Sequence, residues 1–255
     1  MSTRVEVENS GRRDVIKVLV GGGLAATLGC ASNQRPAFVG SGATPRGGAA
    51  LSPSSACIER PAQTEGPYFV DEKLTRSDIR ADPMDGSRSP GVPLELVLAV
   101  HRSTDMTCSP LGGVLVDVWH CDAAGIYSDV VDTDAHFDTS GKKFLRGNLL
   151  TDARGVVRFT TIYPGWYPGR TPHIHFKIRA RLAHEKVHEL TSQLYFDDQL
   201  SNRVYEHAPY RRRGVGNVTN ASDFVYRRGG DRLLLDVTKQ GPGYRAAFAI
   251  GLRVP

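Results

Sequence analysis

Two histidines separated by one residue, His173 and His175, are the first candidates for chemistry in this chain. They stand in the segment HIHFKI, where Ile174, Phe176 and Ile178 alternate with polar residues, as in a strand with one buried face. Side chains two apart on a strand point to the same face, so both imidazoles project together from backbone positions about 6 to 7 Å apart. Two neutral imidazoles so placed can share one metal ion. The alternative is a pair of polar residues on the wet face of a half-buried strand.

The segment before these histidines, YPGWYPGRTP at residues 163–172, favours a site over a plain surface strand. Its prolines and glycines exclude a helix and predict a rigid, irregular lead-in. It also brings aromatic and cationic side chains close to the two histidines, namely Tyr163, Trp166, Tyr167 and Arg170. A turn without function rarely carries so many such groups.

The elements that must position these residues are strands. Seven segments have strand composition, and turn signals separate them; they are residues 94–101, 114–119, 156–162, 173–180, 190–196, 232–237 and 244–252. No long amphipathic helical window accompanies them. The pattern favours an all-β fold, an Ig-like β-sandwich, with an up-and-down barrel as the alternative.

Two long loops, residues 121–148 and 197–230, connect these strand-like segments. Long loops on a sandwich usually carry function or cover a site. The second loop contains three consecutive arginines at 211–213, which we interpret as a solvated patch.

The net charge of +5 on 255 residues is concentrated at the N-terminus. Residues 1–50 carry six basic and three acidic side chains, a net +3, which leaves +2 for the rest of the chain. No basic stripe survives in the body of the protein, so a nucleic-acid partner is not expected.

The N-terminus resembles an export signal. Arg12 and Arg13 precede an eleven-residue apolar run at 18–28, which is too short to span a membrane. The stretch GRRDVIK resembles a twin-arginine signal, whose pathway exports folded proteins. The residues up to Cys30 also resemble an imperfect lipoprotein box, so either Cys30 is lipidated and tethers the protein to a membrane, or the signal is cut after a small residue such as Ala31. Both outcomes predict an exported protein, periplasmic, extracellular or lipid-anchored.

This reading divides the chain into a signal (1–30), a flexible linker rich in Ala, Gly, Pro and Ser (31–55), and one globular domain (56–255). An exported domain can hold disulfides, and the three cysteines of residues 56–255, Cys57, Cys108 and Cys121, would leave one thiol free after one pair forms. Cys108 and Cys121 fall at opposite ends of a strand-like segment, too far apart for one bridge. That leaves Cys57 paired with either Cys108 or Cys121, and Cys57 with Cys108 is the pairing we favour.

A tyrosine upstream completes the pattern. Tyr127 follows a strand-like segment in DVWHCDAAGIYSD, and the order Tyr127, Tyr167, His173, His175 resembles that of the intradiol ring-cleavage dioxygenases, the family of protocatechuate 3,4-dioxygenase and catechol 1,2-dioxygenase. The similarity covers about residues 64–198, through TEGPYF, PLGGVLVDVWHCDAAGIY, FTTIYPGWYPGRTPHIHF and SQLYFDD. It implies an Ig-like β-sandwich core and one non-haem Fe(III) per chain, held by these two tyrosines and two histidines.

The resemblance also implies an activity and further site residues. The implied reaction is O2-dependent intradiol cleavage of a catechol-type diol to a cis,cis-muconate-type diacid, with Tyr167 the ligand that the substrate displaces. Arg170 is expected to stabilise negative charge on the ring. Gln193 is expected to orient substrate or oxygen, or else to satisfy the core as an inward amide. A substrate pocket is implied for Pro67, Tyr68 and Trp166, with Trp166 also packing around the ligands.

The chemistry of the donors agrees with that assignment. Hard phenolate oxygens favour Fe(III), whereas two histidines alone would suit Zn, Cu or Fe(II) equally well. A cupin-type site is disfavoured, because it needs a carboxylate soon after the second histidine, where this chain has Ile178 and Arg179 and its nearest glutamate is Glu185. The other alternative is an exported β-sandwich that binds a ligand or carbohydrate without a catalytic metal. The substrate and the oligomeric state stay open.

The remaining histidines show no ligand spacing. His120, beside Trp119 at a strand end, is interpreted as structural. Four more are interpreted as surface residues: His136, His184, His188 and His207.

Overall fold

The computed structural model describes residues 57–104, 107–181 and 187–253, where strands account for most of the regular structure. The signal and linker predictions, Cys30 included, lie outside these residues, as do His184 and Glu185. In chain order the strands are β1 (Pro93–Ser103), β2 (Cys108–Pro110), β3 (Leu115–Trp119), β4 (Val131–Asp132), β5 (Phe137–Asp138), β6 (Arg146–Leu150), β7 (Val156–Ile162), β8 (His173–Arg181), β9 (Val187–Tyr195), β10 (Asp236–Gln240) and β11 (Gly243–Arg253).

Two open sheets form the fold. The first has the order β10-β11-β1-β2, with β7 also paired to β1, and its β1–β11 pair is parallel. The second is antiparallel with the order β6-β3-β8-β9. Neither sheet closes on itself, and the parallel pair has no place in an up-and-down barrel. The all-β sandwich is confirmed, and the barrel alternative is wrong.

The core lies between the two sheets. Alternate residues of β1, such as Leu96 and Leu98, share one hydrophobic cluster with Ile174, Phe176 and Ile178 of β8, and all five are fully buried. The alternation of apolar residues in the sequence therefore marks the inner face of each strand. It also fixes the opposite face of β8 as the one that carries the two histidines.

Several elements after residue 145 differ from the sequence prediction. Strand β6 was not predicted, and α1 (Asp198–Tyr205) lies inside the second long loop, where Asp197 caps it by accepting a hydrogen bond from the Leu200 amide at 2.9 Å. The predicted strand at 232–237 is instead a 3-10 turn, Gly230–Leu233, followed by β10. Leu233 and Leu235 are buried while Leu234 is partly exposed, so the segment alternates like a strand although its first half is a turn.

The chain before β1 runs in extended form across both sheets. Glu59 bridges to Gly251 of β11, and the Gln63 amide donates to the Thr191 carbonyl of β9 at 3.0 Å. Cys57 and Cys108 form a disulfide, the pairing favoured from the sequence, and Cys121 is a buried free cysteine. Among the described residues no helix is long and apolar enough to cross a membrane.

Candidate metal centre

The two histidines stand at the start of β8 and face away from the inter-sheet core. His173 is paired with Tyr195 and His175 with Gln193 across β9, while Trp119 of β3 lies on the other side of His175. The Trp119 and His175 rings stack, with centroids 4.9 Å apart. Both histidines are at most 2% exposed, because loops and the extended N-terminal segment cover this face. The alternative of a wet strand face is therefore wrong.

Tyr127 reaches the histidines from a tight loop after β3. The loop is shaped by Asp122, whose Oδ1 accepts from the Ala124 amide at 2.8 Å and the Ile126 amide at 2.9 Å. Gly125 has φ +80° and lies so close to the Trp166 carbonyl that a Cβ there would be 2.2 Å from its oxygen. Only glycine fits this position. The loop thereby turns Tyr127 inward, where its side chain is buried.

Four donor atoms converge at this point. The His173 Nε2 lies 3.1 Å from the His175 Nε2, 3.4 Å from the Tyr167 hydroxyl oxygen and 3.5 Å from the Tyr127 hydroxyl oxygen. Two ligands held about 2 Å from one ion and near a right angle to each other lie about 3 Å apart. The four side chains predicted as ligands are thus spaced to share a single metal ion.

The hydrogen bonds of the histidine rings agree with that role. The His173 Nδ1 lies 2.7 Å from the Thr171 carbonyl oxygen, which can only accept, so Nδ1 carries the proton and Nε2 presents its lone pair to the centre. Burial, and then the charge of Arg170, lower the pKa of His173 to about 3, so this imidazole is neutral at neutral pH. Burial also lowers the pKa of His175 well below its usual value. Both rings are available as neutral nitrogen ligands.

The tyrosines need a cation to ionise. Burial raises the pKa of Tyr167 to about 12, with the charge of Arg170 opposing the shift, and burial raises the pKa of Tyr127 further. Within the described residues no three histidine, cysteine or acidic side chains cluster closely enough to hold a metal. An ion bound at His173 and His175 would therefore take its other protein donors from the two phenols. As phenolates these are hard, anionic ligands, which suit a trivalent cation.

Arg170 lies beside the four donors and is held from two sides. Its Nε donates to Asp223 Oδ2 at 2.8 Å and its Nη2 to Gln193 Oε1 at 2.6 Å. The remaining terminal nitrogen, Nη1, points to the Tyr167 oxygen at 3.3 Å. The guanidinium is 7% exposed and paired with a fully buried carboxylate. It is a fixed positive charge aimed at the centre.

Gln193 has all its polar atoms engaged within the protein. Its Oε1 accepts from Arg170 and, at 3.1 Å, from the Tyr195 hydroxyl, and its Nε2 donates to the Thr64 carbonyl at 2.9 Å. The side chain is fully buried. Of the two roles expected from the sequence, its contacts match the inward amide, which here orients Arg170.

The sequence analysis missed Asp223. This residue is fully buried in the second long loop, 53 positions after Arg170. Burial raises the pKa of its carboxyl, but hydrogen bonds from the Tyr226 and Thr171 amides and the charge of Arg170 outweigh this effect and leave the pKa below its usual range. No periodicity or motif marks an isolated aspartate in a loop, so only the fold reveals the contact.

Two cavities flank the centre and share a wall made of Pro67, Tyr167 and Pro168. The first, of about 710 Å³, is also lined by Arg170 and by Phe224. The second, of about 780 Å³, has two acidic residues in its lining, Asp132 and Asp134. The rest of its lining is Tyr68, Ala124, Gly125, Ile126, Val130, Val131, Thr133, Ala135, Phe137 and Arg213. Pro67 and Tyr68 thus lie in cavity walls, where the sequence analysis expected them.

Trp166 lines neither of these cavities. Its indole N–H donates to the Gly214 carbonyl at 3.0 Å, and the guanidinium of Arg213 lies over its ring at 4.2 Å. Arg213 also donates to the carbonyls of Trp166 and Ala124. All three arginines of the 211–213 run are exposed, as expected, but Arg213 is also a tie between two loops.

Of the other histidines that the structure describes, none lies among the four donors of the centre. His120 is 1% exposed, and both of its ring nitrogens are hydrogen-bonded, to the Cys121 carbonyl at 2.8 Å and the Thr161 hydroxyl at 2.7 Å. This agrees with its interpretation as structural. His136 and His207 are exposed, and His188 is half-buried.

Comparison with known proteins gives matches over most of this region. A family model described as "Dioxygenase" matches residues 64–209. The chain is 35% identical over 145 residues to the protocatechuate 3,4-dioxygenase beta chain of Burkholderia cepacia, covering 53% of this chain and 54% of that protein. It is 33% identical over 113 residues to the catechol 1,2-dioxygenase of Candida albicans, covering 37% of this chain and 34% of that protein. The chain thus spans about a third to a half of the length of these curated relatives.

Solved structures match over a larger share. An intradiol ring-cleavage dioxygenase from Tetranychus urticae superposes with a TM-score of 0.66 at 30% identity, covering 77% of this chain and 95% of that one. The dioxygenase domain of a dioxygenase carbohydrate-binding protein fusion from Streptomyces sp. SirexAA-E superposes with a TM-score of 0.54 at 33% identity, covering 78% of this chain and all of that one.

Proposed function

Because the chain belongs to the intradiol ring-cleavage dioxygenase family, we propose that it binds one Fe(III) and uses O2 to cleave a catechol-type diol between its two hydroxylated carbons, giving a cis,cis-muconate-type dicarboxylic acid. The proposed ligands are Tyr127, Tyr167, His173 and His175. The observation that carries the proposal is the convergence of two phenol oxygens and the His175 Nε2 within 3.5 Å of the His173 Nε2.

The donor set supports Fe(III) over other metals. Two phenolates and two neutral imidazoles offer two negative charges, which suit a trivalent ion better than a divalent one. When bound, Fe(III) would keep both tyrosines ionised at neutral pH until substrate binds, and it would make a bound catechol reactive towards O2.

Tyr167 is the proposed acceptor of a substrate proton. It is the one of the four ligands that lines the cavities, and it is half-buried, whereas Tyr127 is sealed inside the protein. A diol entering either cavity therefore meets the Tyr167 oxygen first. That oxygen, held in reach of the Arg170 Nη1, takes up a hydroxyl proton as the diol binds.

Arg170 is the proposed electrostatic stabiliser. Its guanidinium is desolvated, fixed in direction by Asp223 and Gln193, and faces the cavity beside Tyr167. A positive charge oriented in advance lowers the energy of negative charge developing on the substrate ring. The lining of the same cavity, partly apolar with Pro67 and Phe224, excludes water from an aromatic substrate.

The proposal extends to the setting of the reaction. The substrate is a small catechol-type aromatic, and catechol, protocatechuate, hydroxyquinol and lignin-derived catechols are the compounds to test. The twin-arginine-like signal supports an exported enzyme that acquires its iron before export. Lipidation at Cys30 would tether it to a membrane.

Purified protein tests the proposal directly. We expect about one iron per chain, a red-brown colour from tyrosinate-to-iron charge transfer, and oxygen uptake with at least one catechol. The Tyr127→Phe variant should lose part of the visible absorption, because Tyr167 remains as the second tyrosinate. It should also lose at least about tenfold in iron affinity, since even residues that only support metal ligands cost tenfold to a hundredfold.

Tyr163→Phe is the matched control, because Tyr163 is also a buried tyrosine but its hydroxyl bonds to Ser201 at 2.8 Å, away from the centre. It should keep its iron and colour. A colourless protein with no oxygen uptake, unaffected by Tyr127→Phe and His175→Ala, would contradict the proposal and support a metal-free binding protein.

A further inference from the structure

The carboxylate of Asp223 is the most heavily used acceptor near the centre. It is 0% exposed and takes four N–H donors. Its Oδ2 accepts from the Arg170 Nε at 2.8 Å and the Thr171 amide at 2.9 Å. Its Oδ1 accepts from the Val225 amide at 2.8 Å and the Tyr226 amide at 2.9 Å. Each oxygen thus serves a different part of the molecule.

The Oδ2 side fixes the direction of Arg170. The bond to Nε and the bond from Nη2 to Gln193 hold two edges of the planar guanidinium, so its rotation about the last side-chain bonds is blocked. The third edge, Nη1, is left facing the Tyr167 oxygen. The hydrogen bond from the Thr171 amide to Oδ2 fixes the backbone two residues before His173.

The Oδ1 side builds part of a cavity wall. The two amides it binds close a turn over residues 223–226, and this turn presents Phe224 and Val225 to the first cavity. Arg170 lines the same cavity. One buried carboxylate therefore connects the wall that would contact a substrate with the cation that would stabilise it.

We propose that Asp223 is a positioning residue for the reaction: it aims the Arg170 guanidinium at Tyr167 and seats the 223–226 turn in the cavity wall, so that substrate contacts and charge stabilisation are set together. This inference rests on the proposed function. It assigns a role to a loop residue that touches neither the metal ligands nor the cavity itself.

An asparagine cannot reproduce this arrangement. Each carboxylate oxygen of Asp223 accepts two N–H donors, whereas an asparagine side chain offers one acceptor oxygen and one donor nitrogen. In one orientation Asp223→Asn sets its amide nitrogen against Arg170 and Thr171, and in the other against the amides of Val225 and Tyr226. Either way one of the two functions is lost.

The test compares Asp223→Asn with Asp198→Asn. Asp198 is the matched control, since its carboxylate also accepts a backbone amide of this loop, from Asn220 at 3.1 and 3.2 Å, but it has no bond to Arg170. We expect kcat of Asp223→Asn to fall about tenfold to a hundredfold, as when a catalytic group is misplaced by about 1 Å, with a raised KM. Asp198→Asn should stay within about twofold of wild type.

Two further readouts separate positioning from general damage. Iron content and tyrosinate absorption should be retained in Asp223→Asn, while the Kd for catechol, measured anaerobically from the change in visible absorption, should rise. In a double-mutant cycle with Arg170→Gln, the effect of Asp223→Asn on kcat should largely disappear, because the guanidinium through which Asp223 acts is already absent.

The outcomes are distinguishable from failure of the proposed function. If wild type cleaves no catechol, the function is wrong. If wild type is active but Asp223→Asn matches Asp198→Asn, or its effect on kcat is additive with Arg170→Gln, the positioning role is overturned. Should Asp223→Asn not fold, Asp223→Glu keeps the charge and displaces the oxygens by one methylene; wild-type kinetics in that variant would also overturn the role.

Discussion

Hydrogen bonding, more than residue type, separates a proposed ligand histidine from a structural one in this protein. The His173 Nδ1 donates to the Thr171 carbonyl, and the Nε2 is left to face the centre. His120 is equally buried, but both of its ring nitrogens are hydrogen-bonded: one donates to the Cys121 carbonyl and the other accepts from the Thr161 hydroxyl. A buried imidazole with both nitrogens engaged has nothing left to bind a metal. It does, however, make folding depend on pH.

At this scale we predict that His120 contributes to acid sensitivity. Burial lowers its pKa to about 4 in the folded protein, against about 6.5 in an unfolded chain. Between these two pKa values His120 is protonated in the unfolded chain but neutral in the folded protein. The free energy of unfolding therefore falls by up to about 3 kcal/mol from this residue as pH falls from about 6.5 to 4. In chemical denaturation, the gap in unfolding free energy between wild type and His120→Gln should be widest at pH 7 and should narrow by pH 4.5.

His207→Gln controls for the loss of a histidine at an exposed position. A gap between wild type and His120→Gln that is constant from pH 7 to pH 4.5 would show that the ring is not held neutral by the fold.

At the scale of elements, loops rather than strands complete the site. Strand β8 supplies two donors, but Tyr127 and Tyr167 come from loops, and Asp223 from the segment after α1. Arg213 joins three of these loops: it donates to the carbonyls of Ala124 and Trp166 and lies over the Trp166 ring. The loops that carry the two tyrosines are thus tied together from a third.

We expect Arg213→Gln to loosen this connection. Loss of the charged donor to two carbonyls and of the contact with Trp166 should cost about 1 kcal/mol, since the guanidinium is exposed and the bonds compete with water. For a chain of this size that corresponds to a fall in Tm of about 2–4 °C. Differential scanning calorimetry of the iron-loaded protein measures it.

Arg211→Gln is the control. Arg211 is an exposed arginine two residues before Arg213, so this variant loses the same charge, and we expect its Tm to be unchanged. Equal shifts in the two variants would mean that net charge, not the tie, is responsible.

At the scale of the whole molecule, the extended segment before β1 connects both sheets to the centre. Arg60 donates to the Ala249 carbonyl of β11 at 2.9 Å, and the Ser192 hydroxyl of β9 donates to the Pro61 carbonyl at 2.7 Å. The segment then reaches Gly66, where φ is +74° and an added Cβ would lie 3.2 Å from the His175 ring. The Cys57–Cys108 disulfide anchors its start.

We predict that this disulfide stabilises the fold substantially. It joins residues 51 apart, and constraining a loop of that length in the unfolded chain contributes about 4 kcal/mol in the chain-entropy model, with 2–5 kcal/mol lost when native disulfides are removed. Urea denaturation of wild type with and without reductant, and of the Cys57→Ser/Cys108→Ser double variant, should show this loss.

The double variant is its own control, because reductant should not destabilise it further. If reductant leaves wild type unchanged, although mass spectrometry confirms the reduced state, the bridge contributes nothing to the stability of the fold.

The sequence by itself determined the sandwich fold. It also supplied the hypothesis of four metal ligands, with Arg170 as their neighbour. Alternation of apolar residues identifies the buried face of a strand such as β8, and the spacing of His173 and His175 follows from the same period. Local patterns carry this information because neighbouring residues on a strand have a fixed geometry.

Only the tertiary structure decided which atoms meet. The distance between Tyr127 and His173, the two bonds that aim Arg170, and the role of Asp223 all join segments 23 to 53 residues apart. The strand prediction for the 3-10 turn at Gly230–Leu233 was wrong for the same reason: Leu233, and Leu235 just after the turn, face a core that other segments supply. Long-range contacts depend on how loops close over the sheets, and no local period encodes that.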